Sequence, residues 1–168
     1  PADDTTVHYA ITFHPQFAEN GYVYIGSNGL KSPDGRVPED ERRRTRITRY
    51  VIDREPPYAF HPESATVIIE WDSNGHNGGD IAFANDGMMF VGSGDGTSDS
   101  DEDRVGQNLT SLRSKILRID ADHPDENVPN DGRHYSVPKD NPIFDKDSLI
   151  ATVKGARPET WAYGMRQP

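Results

Sequence analysis

The sequence predicts an all-β domain. Its apolar residues fall in short runs separated by turns, and 15 glycines and 13 prolines are spread among its 168 residues. No long segment has the apolar spacing of an amphipathic helix, and Gln107–Leu112 has room for one short helical turn. A strand pattern also occurs twice along the chain. Short strands, glycine turns and an internal repeat are typical of all-β folds.

Eight segments have the length and composition of strands. They are Val7–Phe13, Tyr22–Ser27, Thr45–Ile52, Thr66–Trp71, Asp80–Ala84, Met88–Ser93, Lys115–Ile119 and Thr160–Tyr163. Turn sequences with glycine lie between several of them, because glycine adopts the positive φ that tight turns need. We expect turns at Asn20-Gly21, Pro33-Asp34-Gly35 and Asp86-Gly87.

The repeat is clearest in two hairpins. Ala10–Gly29 aligns with Asp80–Gly96, since each has a strand ending in Phe, a turn closing on Gly, and a second strand ending in Gly-Ser. The two Phe residues, at 13 and 83, are 70 positions apart, and Arg46 precedes its counterpart Lys115 by 69. Four-stranded antiparallel units in tandem are typical of β-propeller blades. We therefore expect residues 1–168 to form an incomplete propeller domain, about two and a half blades of a longer parent.

The overall charge argues against a nucleic-acid partner. The formal net charge is -10, and the one basic run, Arg42-Arg43-Arg44, follows three acidic residues. Nucleic-acid binding draws instead on clustered lysine and arginine. The chain has no cysteine, which excludes disulfide and thiol chemistry. No apolar run approaches the roughly 20 residues of a membrane span. The start at Pro1 suggests a trimmed chain and a lost export signal.

One histidine lies among glycines just before a predicted hairpin, in the stretch NGHNGGDIAFANDGMMFVGSGDG. His76 is either a solvated loop residue or a general base, since histidine titrates near neutral pH. The hairpin returns the chain to the same edge of the sheet, so we expect Asp95 to reach the imidazole and fix its tautomer. We also expect the surrounding glycines to leave room for a flat ligand near the backbone: Gly75, Gly78, Gly79, Gly92, Gly94 and Gly96.

An acidic loop, DGTSDSDEDR, follows this hairpin. Asp99, Asp101 and Asp103 have the alternating spacing of an EF-hand calcium loop. Arg104, however, stands where the sharp turn of that loop needs glycine, and Thr110 stands in place of the twelfth-position Glu. We therefore interpret the segment as a solvated loop and assign no metal ligand. The remaining histidines show no ligand spacing: His8, His14, His61, His123 and His134.

The chain ends in RPETWAYGMRQP. Trp161 and Tyr163 fit the core side of a strand. Arg166 is either an ordinary loop charge or a guanidinium that holds an anionic or carbonyl group.

Four segments, in the same order and with similar spacing, resemble the soluble quinoprotein glucose dehydrogenase and sorbosone dehydrogenase family, the aldose sugar dehydrogenases that use pyrroloquinoline quinone. They are AITFHPQFAENGYVYIGS, HNGGDIAFANDGMMFVGSGDG, GQNLTSLRSKILRID with VPKDNPIF, and PETWAYGMRQP. Two positions depart from the family motifs. Asp80 stands where His-x-Gly-Gly-Arg has its arginine, and Gln167 stands where Gly-x-Arg-Asn-Pro has its asparagine.

The resemblance implies part of a six-bladed β-propeller with four-stranded antiparallel blades. It also implies oxidation of the C1 hydroxyl of an aldose, with hydride passing to pyrroloquinoline quinone. His76 would take the proton, Asp95 would orient His76, and Arg166 would contact the quinone oxygens. His76, Arg166 and Gln167 are thus the expected cofactor contacts. A Ca²⁺ ion would act as Lewis acid on the cofactor. Its family ligands lie beyond Pro168.

The family also implies a small-molecule sugar as substrate, an electron acceptor such as a cytochrome, and a periplasmic or secreted location. The alternative is a non-catalytic propeller module that binds another protein and resembles hedgehog-interacting protein. Retention of both His76 and Asp95 favours the enzyme, because a binding surface has no need of an oriented base.

Overall fold

The structure, a computed structural model that describes residues 5–124 and 133–168, contains two four-stranded antiparallel sheets. In each sheet the strands lie side by side in chain order. The first sheet comprises β1 (Val7–Phe13), β2 (Tyr22–Gly29), β3 (Arg44–Ile52) and β4 (Phe60–Asp72). The second comprises β5 (Gly78–Phe83), β6 (Met89–Ser93), β7 (Lys115–Ile119) and β8 (Thr160–Tyr163). The predicted all-β class is confirmed.

Helical structure is confined to short pieces in the described ranges. A single α-helical turn, α1, covers Phe17–Asn20, and two 3₁₀ turns cover Pro142–Phe144 and Ile150–Thr152. The segment 107–112 consists of turns and bends and has no helix. No helix among the described residues is long and apolar enough to cross a membrane.

The Asn20-Gly21 turn differs in form from the expected hairpin turn. Its residues end α1, and Gly21 caps that turn with φ of 68° while its N–H donates to the carbonyl of Phe17 at 2.8 Å. The Asp86-Gly87 turn agrees with the prediction, because the Gly87 N–H donates to Ala84. So does Pro33-Asp34-Gly35, where the N–H of Gly35 donates to Ser32.

Strand β4 begins at Phe60, six residues before the predicted start at Thr66 (66 minus 60). The prediction stopped short because Pro62 cannot donate to a strand ladder. β4 lies at the edge of its sheet, and its pairing with β3 shifts register between His61 and Thr66. A proline is tolerated at such an edge bulge.

The sequence repeat is visible in the strand registers. Ser27 of β2 pairs with Arg46 of β3, and Ser93 of β6 pairs with Lys115 of β7. These pairs are equivalent positions of the two sheets, so the tandem repeat predicted from sequence corresponds to two sheets of the same connectivity. The partial third blade stays a prediction.

The two sheets pack against each other through β1 and β5. The Thr12 hydroxyl donates to the Ile81 carbonyl at 3.0 Å across this contact. The core that they share is formed by large apolar side chains: Tyr24, Ile47, Ile68, Ile69, Trp71, Ile81, Met89, Val91, Leu117, Ile119, Tyr135 and Val137. Burial of such side chains gives about 1.5–3 kcal/mol each, which holds the sheets together.

Candidate active site

Loops that follow the even-numbered strands leave the same edge of the structure, because consecutive strands are antiparallel. The connection after β4 carries residues 73–77, the connection after β6 carries 94–114, and the segment after β8 carries 164–168. The three residues predicted to have a catalytic role, His76, Asp95 and Arg166, lie on these three segments.

His76 and Asp95 meet as the sequence predicted. Nδ1 of His76 lies 3.0 Å and 3.1 Å from the two carboxylate oxygens of Asp95, so the imidazole N–H at Nδ1 donates to the carboxylate. The pair is buried, with exposed fractions of 8% and 2%. The backbone also joins their loops, since the His76 N–H donates to the Thr97 carbonyl at 2.7 Å and the Gly96 N–H donates to the His76 carbonyl at 3.0 Å.

Thr97 is a site residue that the sequence analysis missed. Its backbone N–H and its hydroxyl donate to Oδ1 of Asp95 at 2.9 Å and 2.8 Å. This is the local turn that an aspartate forms with the residue two positions later, and the Asp-x-Thr spacing could have revealed it. Thr97 therefore fixes the carboxylate that receives the His76 N–H.

These hydrogen bonds keep Asp95 ionised. Burial raises the pKa of the Asp95 carboxyl, but the hydrogen bonds from Thr97 and His76 together outweigh that effect, and the pKa lies below its usual range. Near neutral pH, the carboxylate is therefore available to hold the Nδ1 proton and to stabilise a positive charge on the imidazole.

The other ring nitrogen distinguishes His76 from a structural histidine. Within residues 5–124 and 133–168, Nε2 of His76 has no hydrogen-bond partner. His14, also buried beside an aspartate, uses both nitrogens: Nε2 lies 3.0 Å from Asp122, and Nδ1 accepts from the Gln16 N–H. Both ring nitrogens of His14 therefore hold segments of the fold together, whereas Nε2 of His76 is available to bind a ligand.

For four of the six glycines, the expectation that they leave room for a flat ligand is wrong. A Cβ on Gly94 would lie 2.0 Å from the carbonyl oxygen of His76, and one on Gly75 would lie 2.0 Å from that of Thr97. On Gly78 and Gly92 a Cβ would also meet backbone atoms, at 2.4 Å and 2.8 Å. The absence of side chains therefore brings the three segments of the site into contact with one another.

Arg166 contributes its backbone and its side chain in different places. The Asp95 N–H donates to the Arg166 carbonyl at 3.0 Å, which joins the last segment to the histidine–aspartate pair. The guanidinium is exposed, and its Nη2 donates to the Asp99 carbonyl at 2.8 Å. Gln167 and Asp80 are exposed as well. The structure thus brings together His76, Asp95 and the Arg166 backbone, while the roles of these side chains stay predictions.

A cavity of about 440 Å³ lies beside Asp95 and Arg166. Its walls come from the loop after β6 and from the chain end: Ser100, Asp101, Gly106, Gln107, Ser114, Gly164 and Met165 complete the lining. This cavity gives a ligand access to the same loop segments that hold the pair.

The acidic side chains of the 95–104 loop stabilise the loop itself. Asp101 accepts from the N–H groups of Val105 and Gly106 at 2.6 Å and 2.8 Å, and Asp103 accepts from Arg113 at 2.7 Å. Among the described residues, no three carboxylate or imidazole groups are arranged to hold a metal ion.

The chain resembles two curated relatives along nearly all of its length. Hedgehog-interacting protein of Mus musculus is 27% identical over 161 residues, which cover 95% of this chain and 21% of that protein. HIPL1 protein of Arabidopsis thaliana is 29% identical over 195 residues, covering 94% and 26%. The chain thus spans about a fifth to a quarter of these relatives.

Solved structures share the fold. The soluble aldose sugar dehydrogenase of Escherichia coli, in its apo-form, has a TM-score of 0.68 at 18% identity, over 96% of this chain and 38% of that one. The PQQ-bound form of aldose sugar dehydrogenase from Streptomyces coelicolor has a TM-score of 0.52 at 26% identity, over 76% and 34%. The sequence profile of the family described as Glucose / Sorbosone dehydrogenase matches residues 9–168. The chain therefore belongs to the glucose/sorbosone dehydrogenase family.

Proposed function

We propose that the protein containing this chain oxidises the C1 hydroxyl of an aldose sugar, with His76 as the general base. The observation that carries the proposal is the hydrogen-bonding state of His76. Asp95 holds its Nδ1, and Nε2 has no partner among the described residues. Membership of a sugar dehydrogenase family supplies the reaction class.

The proton and the hydride leave the sugar separately. Nε2 of His76 accepts the proton of the C1 hydroxyl, and the C–H bond at C1 breaks with its electron pair, so that the carbon becomes a carbonyl. Pyrroloquinoline quinone, when bound, supplies the acceptor of that hydride. Asp95 keeps the Nδ1 proton in place and stabilises the imidazolium that forms. A positioned base of this kind contributes typically 10²–10⁴-fold to the rate.

The donor set at this edge fits a quinone. Arg166 presents an exposed guanidinium with N–H groups besides the one that donates to Asp99, and Gln167 presents an exposed amide beside it. Both side chains donate hydrogen bonds to carbonyl or carboxylate oxygens. Arg166 would hold the quinone oxygens where negative charge develops. We assign no Ca²⁺ ligand to the described residues.

The second candidate is a module that binds another protein without catalysis. The 27% identity to hedgehog-interacting protein over 95% of the chain supports it. The two candidates differ in what they require of His76. An oriented base with a free nitrogen serves proton transfer, whereas a binding surface draws no benefit from a buried histidine–aspartate pair.

The test is a comparison of variants in the full-length protein, supplied with pyrroloquinoline quinone and Ca²⁺. His76→Ala should cut turnover of dye-linked aldose oxidation by about 10²–10⁴-fold, because the proton acceptor is lost. Cofactor affinity, measured by titration, should change far less. Asp95→Asn should lower turnover by a similar or smaller factor, because it perturbs the tautomer and leaves the acceptor in place. Arg166→Ala should reduce both turnover and cofactor affinity.

His61→Ala is the matched control, because His61 is a partly exposed histidine on β4 that also pairs with an aspartate, Asp53. It should leave turnover unchanged. Full activity in the His76→Ala protein would remove the enzyme proposal at this site. A wild-type protein that never binds the quinone would favour the binding module.

The remaining family implications belong to the same proposal. We propose a periplasmic or secreted location and an electron acceptor, such as a cytochrome, that reoxidises the cofactor. This chain covers 38% of the aldose sugar dehydrogenase chain, so we propose these properties for the whole protein that contains it.

A further inference from the structure

Ser114 lies at the junction of the three segments that form the candidate site. It is buried, with 2% of its surface exposed, and lies just before β7. Its N–H donates to the Gly94 carbonyl at 2.8 Å. Its carbonyl accepts from the N–H groups of Gly164 and Met165 at 3.0 Å and 3.2 Å. One residue therefore contacts the neighbours of both Asp95 and Arg166.

These contacts close a ring of hydrogen bonds. The Asp95 N–H donates to the Arg166 carbonyl at 3.0 Å, while Ser114 connects the residues that precede Asp95 and Arg166. Gly94, which accepts from Ser114, also lies against His76, because a Cβ on Gly94 would lie 2.0 Å from the His76 carbonyl oxygen. A displacement of the Ser114 backbone would therefore move Asp95 and the Arg166 segment relative to each other.

The conformation of Ser114 is one that serine adopts at a cost. Its φ is 64°, in the left-handed region that favours glycine. Glycine would take this conformation without strain, but it would lack the hydroxyl. That hydroxyl donates to the Met165 carbonyl at 2.5 Å, next to Arg166. Strain of this kind persists where the surroundings fix the residue, and it clusters at functional sites.

We infer that Ser114 is a positioning residue that sets the distance between the Asp95–His76 pair and the Arg166 segment, through its hydroxyl bond to Met165. The inference rests on the proposed function for the chemistry that this geometry serves. Ser114 itself contacts the residues next to Asp95 and Arg166 and acts through those two residues.

The test separates strain from positioning in the full-length protein. Ser114→Gly removes the hydroxyl and relieves the positive φ, whereas Ser114→Ala removes the hydroxyl and keeps the strain. With a positioning role, both variants lower kcat by about 10- to 100-fold, the range that a misplacement on the order of 1 Å produces. KM should change little, and Ser114→Gly should unfold at the same temperature as the wild type or higher.

A second readout is independent of activity. The Nδ1 proton of His76, shared with Asp95, is followed by NMR of histidine-labelled protein without cofactor. Its exchange with water should be about 10-fold faster in both variants, since local opening of the Asp95 segment exposes it. The control is Ser136→Ala, because the Ser136 hydroxyl is buried and has no hydrogen-bond partner in the described ranges. It should leave kcat and exchange unchanged.

Each outcome separates this inference from the proposed function. A wild-type protein without sugar oxidation contradicts the proposed function, and the exchange of the His76 proton still tests Ser114. Wild-type kcat and exchange in Ser114→Gly, with an active wild-type protein, would overturn the positioning role. Loss of kcat in step with a lowered unfolding temperature in both variants would reduce Ser114 to a structural residue.

Discussion

At the scale of single residues, the site depends on backbone packing as much as on side chains. The φ of Gly94 lies outside the left-handed region, so its backbone conformation does not require glycine. What forbids a side chain there is space, because a Cβ would lie 2.0 Å from the His76 carbonyl and 2.9 Å from that of Arg166. This close contact sets the position of Asp95, the next residue, relative to His76.

Gly94→Ala should therefore disturb both stability and chemistry. Alanine would ordinarily stabilise by restricting the unfolded chain, so a net loss measures the clash. Overpacking of this kind costs about 1–3 kcal/mol, which urea unfolding would measure. Turnover should fall as well, because Asp95 and His76 move apart.

The control is Gly87→Ala, in a turn with open space but φ of 85°. It should cost about 1–2 kcal/mol from the backbone alone and leave turnover unchanged. Equal turnover in the two variants would contradict the packing argument.

The sequence predicted the histidine–aspartate contact but misjudged the glycines, for a physical reason. His76 and Asp95 are 19 positions apart (95 minus 76), and the hairpin between them returns the chain to its starting edge, so their proximity follows from strand and turn patterns. The space around Gly94 and Gly75 depends on which backbone segments meet in the folded chain. Sequence spacing carries no information on that, and the role of Ser114 was equally hidden, since its conformation comes from tertiary contacts.

At the scale of elements, the two repeated sheets each have a buried cationic side chain at the same position. Arg46 of β3 and Lys115 of β7 occupy equivalent registers, each paired with a serine, and both are buried. Each donates to carbonyls near the preceding loop. Arg46 reaches Gly29 and Lys31, and Lys115 reaches Val105 and Arg113 at 3.1 Å and 2.7 Å. In each sheet, the buried cation therefore joins its own strand to the loop that precedes that strand.

The buried ammonium makes stability depend on pH. Burial lowers the pKa of Lys115 to about 8, against about 10.4 in an unfolded chain. Below pH 8 both states hold the proton. Between pH 8 and about 10 the unfolded state binds more protons, so the free energy of unfolding rises with pH. Relative to Lys115→Met, the wild type should gain on the order of 1–3 kcal/mol over that window in urea titrations. A difference in the free energy of unfolding between the two proteins that stays constant over this pH window would contradict this prediction.

Element boundaries were predictable where local chemistry decides them. β1, β7 and β8 begin and end as predicted, since apolar alternation and flanking turns coincide there. The start of β4 was not, because an edge position admits Pro62. The helical turn α1 was also missed. Four residues have no helical period to detect, and Gly21 caps a helix as readily as it closes a hairpin turn.

At the scale of the whole molecule, the first sheet has one covered and one open face. Thr12 and Ala10 point toward the second sheet, where Thr12 meets Ile81. Ile11 alternates to the other face and is 61% exposed, in a surface that it shares with Ile25, Tyr50 and Phe60. A contiguous apolar surface of this kind is typical of a site that packs against a partner. In a six-bladed ring, which we propose for the parent protein, the closing blade would cover this face.

Ile11→Glu tests ring closure in the full-length protein. If the closing blade packs on this face, a buried charge replaces a buried Ile, and the free energy of unfolding should fall by about 2 kcal/mol or more. The control is Leu149→Glu, at a site 73% exposed on the connection between β7 and β8. It should stay within about 0.5 kcal/mol of the wild type. Urea unfolding of both variants decides the matter. If Ile11→Glu matches Leu149→Glu, the face is open in the parent protein, and the sheets do not close into a ring through β1.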